Sequence, residues 1–70
     1  RSDDLIGLEG VVTLAIEPKK RGFVELSVRG TLLRRPAVSG KSALAANTKV
    51  VVIASDDHTL RVEPFQPPAF

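Results

Sequence analysis

The chain has no cysteine, methionine, tryptophan or tyrosine, a single histidine and three phenylalanines among its 70 residues. Without cysteine there is no disulfide, no thiolate metal site and no thiol nucleophile, so neither a disulfide nor a Cys-bearing metal site staples a chain of this size. The shortage of aromatics leaves few of the stacking platforms of single-strand binders, which contribute roughly 1–3 kcal/mol per base. Long apolar runs are missing too. No stretch approaches the roughly eighteen residues of a membrane-crossing helix, and none reads as a signal peptide. Ten Lys plus Arg against eight Asp plus Glu give a net charge of only +2, which neither demands nor excludes a polyanionic partner.

What is present is aliphatic. Nine Val, eight Leu, three Ile and seven Ala dominate the 43% apolar fraction. Val and Ile lose side-chain freedom in a helix and pack well on a pleated sheet, so the composition leans to β-structure. The length admits one domain and excludes two independent cores. In a chain this short, ordering entropy of about 1.5 kcal/mol per residue nearly cancels the gain from burial. A closed sheet, a partner or a membrane tether is therefore expected. The chain opens on Arg1 without an initiator methionine and reads as a piece of a longer protein.

Five strands follow from the patterning. Residues 1–4 are polar and read as a disordered linker, residues 5–64 as the folded unit and residues 65–70 as an extended, proline-rich tail. Glu9 to Glu17 is the first strand, a long apolar run bracketed by Gly7, Gly10 and Pro18. From Phe23 to Arg29 the alternation is clear: Val24, Leu26 and Val28 take one face, and Phe23, Glu25, Ser27 and Arg29 the other. Arg29-Gly30 is a tight-turn signal into a third strand, Thr31 to Ala37, that Pro36 ends or places at an edge. Ser39 to Asn47 is the only segment with helical character, and at most Ser42 to Ala46 makes a single short turn there. Val50 to Ile53 and Thr59 to Glu63 form the last two strands, joined through Asp56-Asp57-His58. Five strands with a long gap between the third and fourth predict an all-β, five-stranded Greek-key barrel of OB-fold-like order, with an SH3-like barrel as competitor. Closure also removes exposed edges from a Val-rich sheet. The expected core is Val11, Leu14, Val24, Leu26, Val28, Val50, Val52, Leu60 and Val62.

Catalytic and metal-binding patterns are weak. His58 lies beside Asp56 and Asp57, yet neighbours in one turn do not all converge on an ion, and aspartates are natural turn formers. Gly40-Lys41-Ser42 copies the end of a phosphate-binding loop, but Arg35 stands where that motif needs glycine. Gly7-x-x-Gly10 lacks the helix pair of a KH clamp. With no base placed beside a serine, no enzymatic activity, cofactor or metal is expected. The sharper constellation is basic. In an OB-fold the first loop and the outer face of strands two and three hold the ligand, which gathers Lys19, Lys20, Arg21, Phe23, Arg29 and one of Arg34 or Arg35, according to register.

The sequence resembles the C-terminal soluble domain of the NfeD-like family of membrane proteins. The resemblance rests on Gly7-x-x-Gly10-Val11, Pro18, Val28-x-Gly30, Thr48-x-Val50-x-Val52 and Leu60-x-Val62-x-Pro64, and it covers roughly residues 5 to 64. Three positions depart from it. Leu33 and Arg35 stand where the family often has Trp and a small residue, and Asn47 stands where Gly is usual, though Asn tolerates a left-handed backbone. The Lys19-Lys20-Arg21 loop is longer and more basic than expected. The resemblance implies an OB-like barrel carried after transmembrane helices, on the cytoplasmic side, working with partners of the stomatin and flotillin class. A Ser-Lys protease domain belongs to a longer branch and has no counterpart in these residues.

The expected function is thus a non-enzymatic protein-interaction module of a membrane protein. Lys19, Lys20, Arg21, Phe23, Arg29, Arg34 and Arg35 are its expected partner-binding residues, with contact to a membrane surface worth about 1 kcal/mol per cation near anionic lipid. The alternative of another class is an oligonucleotide-binding OB module using the basic loop, for which one phenylalanine is thin provision.

Overall fold

The computed structural model describes residues 5–40, 43–56 and 58–65. Five strands occur in it: β1 (Glu9–Leu14), β2 (Gly22–Val28), β3 (Thr31–Ser39), β4 (Lys49–Asp56) and β5 (Thr59–Pro64). They close into a barrel in the ring order β1-β2-β3-β5-β4. β1 is shared, pairing with β2 through Val12↔Val24 and with β4 through Gly10↔Val50. All contacts are antiparallel except β3 with β5, which run parallel from Ala37↔Leu60 to Ser39↔Val62. This is the all-β, OB-like arrangement that the strand spacing predicts. The expected linker at residues 1–4, Lys41, Ser42, Asp57 and residues 66–70 of the expected tail lie outside the described residues.

The two expected hairpins form. β2 and β3 meet from Gly22↔Ala37 to Val28↔Thr31, and β4 and β5 close at Asp56↔Thr59. The first turn is Arg29-Gly30, with φ of 53° and 79°. Two consecutive positive φ values are the geometry of a type I′ turn, whose twist matches that of its strands and which favours Asn-Gly. Arg29→Asn is therefore expected to raise stability by about 0.5–1 kcal/mol, read as a higher urea midpoint with unchanged slope. An unchanged midpoint would show that arginine is not strained there. Asn47 also adopts a left-handed conformation, φ 74°, as its place before strand four suggests.

Inside the barrel Val24, Leu26, Val50, Val52, Leu60 and Val62 are buried, as expected, and Val28 packs against them at one end. Two expected core residues are not there. Val11 is 36% exposed and Leu14 48%, while Val12 and Ile16 are fully buried. Val11 adjoins the inward Val12 and faces out by ordinary alternation, opposite Glu25, whereas Leu14 is turned out by an irregularity in the ladder between Val12 and Leu14. Val12 faces Val24, yet Leu14 faces Phe23, so one extra residue intervenes and the alternation changes face. β1 also stops at Leu14 rather than Glu17. Beyond it, Ile16 bridges to Leu44 through reciprocal backbone bonds of 2.9 and 2.8 Å. Leu44 thus enters the core by a β-bridge, in the segment where sequence allows at most a single short helical turn.

Pro36 does not end β3, which continues to Ser39. The two-residue turn makes Val28↔Thr31 a hydrogen-bonded pair, so alternation makes Phe23↔Pro36 a non-bonded one. Pro36 would direct any N–H away from β2. The parallel ladder with β5 starts only at Ala37, so the missing donor costs the sheet nothing.

Candidate functional site

The β2–β3 register decides which side chains share the outer face. Val24 and Leu26 point inward, so Phe23, Glu25 and Ser27 point out. Opposite them stand Pro36, Arg34 and Leu32. Leu14 continues the row beyond Phe23. The result is a strip of Leu14, Phe23 and Pro36 across three strands, with Phe23 and Pro36 half-buried and Leu14 open. The Arg34 guanidinium carbon sits 5.3 Å from the centre of the Phe23 ring. A cation over an aromatic face is worth roughly 0.5–1 kcal/mol at an exposed site and holds both groups in place. Thr13 donates from Oγ1 to the Phe23 carbonyl at 3.3 Å, tying the extra residue of β1 to the same spot.

The remaining candidate cations do not join this pair. Lys19 and Lys20 lie on a tight turn closed by Glu17 and Lys20, whose backbones exchange bonds of 3.0 and 3.1 Å. What reads in sequence as an open loop is a small hairpin. Arg21 donates from Nη1 to Thr59 Oγ1 at 3.4 Å, across the sheet at the start of β5. Arg35 stands opposite Val24, on the other side of the strand from Arg34, and donates from Nη1 to the Arg34 carbonyl at 3.1 Å. Arg29, in the turn after β2, lies six residues from Phe23, about 20 Å along an extended strand. The structure therefore brings Phe23 and Arg34 together and leaves the other cations apart from them. Leu14 and Pro36 were missed from sequence, and only the shift of face in β1 places Leu14 outside.

A concavity of about 410 Å³ lies between the end of β3 and the β4–β5 hairpin, lined by Ser39, Gly40, Ile53, Arg61, Glu63 and Pro64. It holds one cation and one carboxylate and no nucleophile beside a base. His58 and Asp56 are exposed, and no three metal-ligating side chains converge among the described residues.

Comparison with known proteins follows the same lines. Residues 9–63 match the NfeD C-terminal domain family. The soluble domain of the NfeD protein YuaF of Bacillus subtilis superposes with a TM-score of 0.82 at 30% identity, over 94% of this chain and 80% of that one. The C-terminal domain of a stomatin operon partner protein of Pyrococcus horikoshii gives 0.77 at 28% identity, over 96% and 97%. The soluble domain of a Corynebacterium glutamicum membrane protein implicated in regulation of membrane protease activity shares the fold, with a TM-score of 0.69 at 18% identity over 91% and 97%. No curated protein sequence matches the chain.

Proposed function

This chain belongs to the NfeD C-terminal domain family, and from that premise we propose that it is a non-enzymatic protein-interaction module. Its place is beside a membrane, on the cytoplasmic side, and its partner is of the stomatin or flotillin class. The observation that carries the reading is the strip of Leu14, Phe23 and Pro36 with Arg34 laid over the phenyl ring. Aromatic and arginine side chains held on rigid strands are the usual anchors of protein interfaces, because they offer large contact area at little further loss of side-chain freedom. The description of the Pyrococcus neighbour as a stomatin operon partner supports the class of partner. The description of the Bacillus neighbour as the soluble domain of an NfeD protein supports the setting.

The oligonucleotide alternative draws less support from the same geometry. Phe23 is the aromatic on this face, and its ring is already covered by Arg34. A base would have to displace the guanidinium before it stacked.

The test is binding of the chain to the stomatin-class protein encoded by the same genome, reconstituted in anionic vesicles. Phe23→Ala and Arg34→Ala are each expected to weaken binding about tenfold or more, with the circular dichroism spectrum unchanged. Arg29→Ala, at the remote turn, is expected to leave it unaltered. Absence of binding by the wild-type chain, or an equal loss with Arg29→Ala, overturns the proposal. So does tight binding of a labelled single strand at low salt that Phe23→Ala abolishes.

A further inference from the structure

We infer that the outer edge of β3, at Leu32 and Arg34, takes an extended acidic segment of a partner protein as an added strand. The inference rests on the interaction-module reading above and specifies the chemistry of the partner. The hydrogen-bond phase of the β2–β3 hairpin carries it. Because Val28↔Thr31 closes a two-residue turn, Thr31, Leu33 and Arg35 direct their backbone groups toward β2. Leu32 and Arg34 then direct theirs to the other side. Among the described residues nothing pairs with β3 on that side until Ala37 meets Leu60.

Two features bound the usable edge. Pro36 has no N–H to offer, and the Arg34 carbonyl already accepts from Arg35 Nη1 at 3.1 Å. The N–H and C=O of Leu32 and the N–H of Arg34 remain, enough for a short ladder. Leu32 is 65% exposed, the highest value among the exposed large apolar residues described, and it projects from the outer face two positions before Arg34. An incoming strand would therefore set an apolar side chain against Leu32 and, two residues away, a carboxylate against Arg34. A second carboxylate, on its opposite face, would meet Arg35. Glu25 stands opposite Arg34 on β2, which leaves this edge with a positive balance.

Charge selects the occupant. A second copy paired edge to edge would crowd Arg34 and Arg35 of both molecules onto one short ladder, and like charges on facing strands are destabilising. An acidic strand meets the same edge with opposite charge, and added strands of this kind take affinity from main-chain bonds and specificity from alternate side chains.

Amide hydrogen exchange of the chain, resolved by residue, tests the inference. The probe is the capped peptide Thr-Glu-Glu-Thr-Val-Thr-Glu-Glu-Thr, which reads alike in both directions and so serves parallel and antiparallel registers. At saturation it is expected to slow exchange at Leu32 and Arg34 by about tenfold or more, while Leu33 and Arg35, already bonded to β2, keep their rates. The same peptide with Lys for Glu, and one with alternate backbone amides methylated, are expected to leave all four rates unchanged. Equal protection by the methylated peptide, protection at Leu32 and Arg34 in the free chain, or dimerisation through this edge overturns the inference. A stomatin-class protein that binds the chain and is not displaced by the acidic peptide overturns the edge proposal and leaves the partner reading standing. Failure of that protein to bind overturns the partner reading, whatever the exchange data show.

Discussion

Gly22→Ala is expected to destabilise the barrel by about 3 kcal/mol, at the upper end of the usual cost of overpacking. A Cβ on Gly22 would overlap the carbonyl oxygens of Leu14 and Ala15 and the Cγ1 of Ile16. Two of those three obstacles are backbone, so the clash is not relieved by rotating a side chain. The reason lies in the path of β1. After the extra residue near Thr13 the chain turns across the start of β2 to deliver Ile16 into the core, and only hydrogen fits beneath it. In a domain of this size roughly 1 kcal/mol moves the thermal midpoint by about 4–8 °C, so a fall of about 12–24 °C is expected by calorimetry. Gly40→Ala is the control, because nothing lies within 4 Å of its Cβ position. Equal midpoints for the two variants would show that β1 does not cross β2 in this way.

Ile16→Ala is expected to cost about 2–5 kcal/mol, the range for removing a buried Ile or Leu side chain. Ile16 is fully buried although it lies outside the five strands, and both its N–H and its C=O are bonded to Leu44. Total stabilities of about 0.05–0.15 kcal/mol per residue make this loss about half of the whole margin of so short a chain. Leu14→Ala, two residues earlier, is expected to cost less than about 1 kcal/mol, since that side chain is 48% exposed. Urea titration of both variants separates them. A larger loss from Leu14→Ala would return that residue to the core and remove it from the outer strip.

These two expectations fall where reading the sequence and reading the structure part. In β2 the residues alternate strictly, so Val24 and Leu26 inside and Phe23 and Glu25 outside were legible without coordinates. In β1 they do not. Val11, Val12, Leu14 and Ile16 are all apolar, and alternation alone cannot say which of them face the core. For Leu14 the deciding event is the change of register between Val12 and Leu14. Leu44 was illegible for a related reason. Its local composition favours a helical turn, but its partner, Ile16, lies far away in sequence, and a long-range bridge prevails over local propensity.

The candidate site divides in the same way. That Phe23 is outward followed from its neighbours. That Arg34 and not Arg35 lies over it depended on the pairing of Glu25 with Arg34, which a shift of one residue would have reversed. Arg29 shares the outward parity of Phe23 but belongs to the turn, and parity carries no information about distance along a strand.

By itself, then, the sequence determined an aliphatic, Cys-free, five-stranded barrel with tight hairpins, because period-two burial and turn chemistry are local properties that the chain writes out in order. Tertiary structure alone decided which apolar residues of β1 are inside, which arginine meets Phe23, and which edge of β3 keeps its backbone groups unpaired. Each of these depends on the register between segments distant in the chain, and register is set by closure of the whole barrel rather than by any one strand.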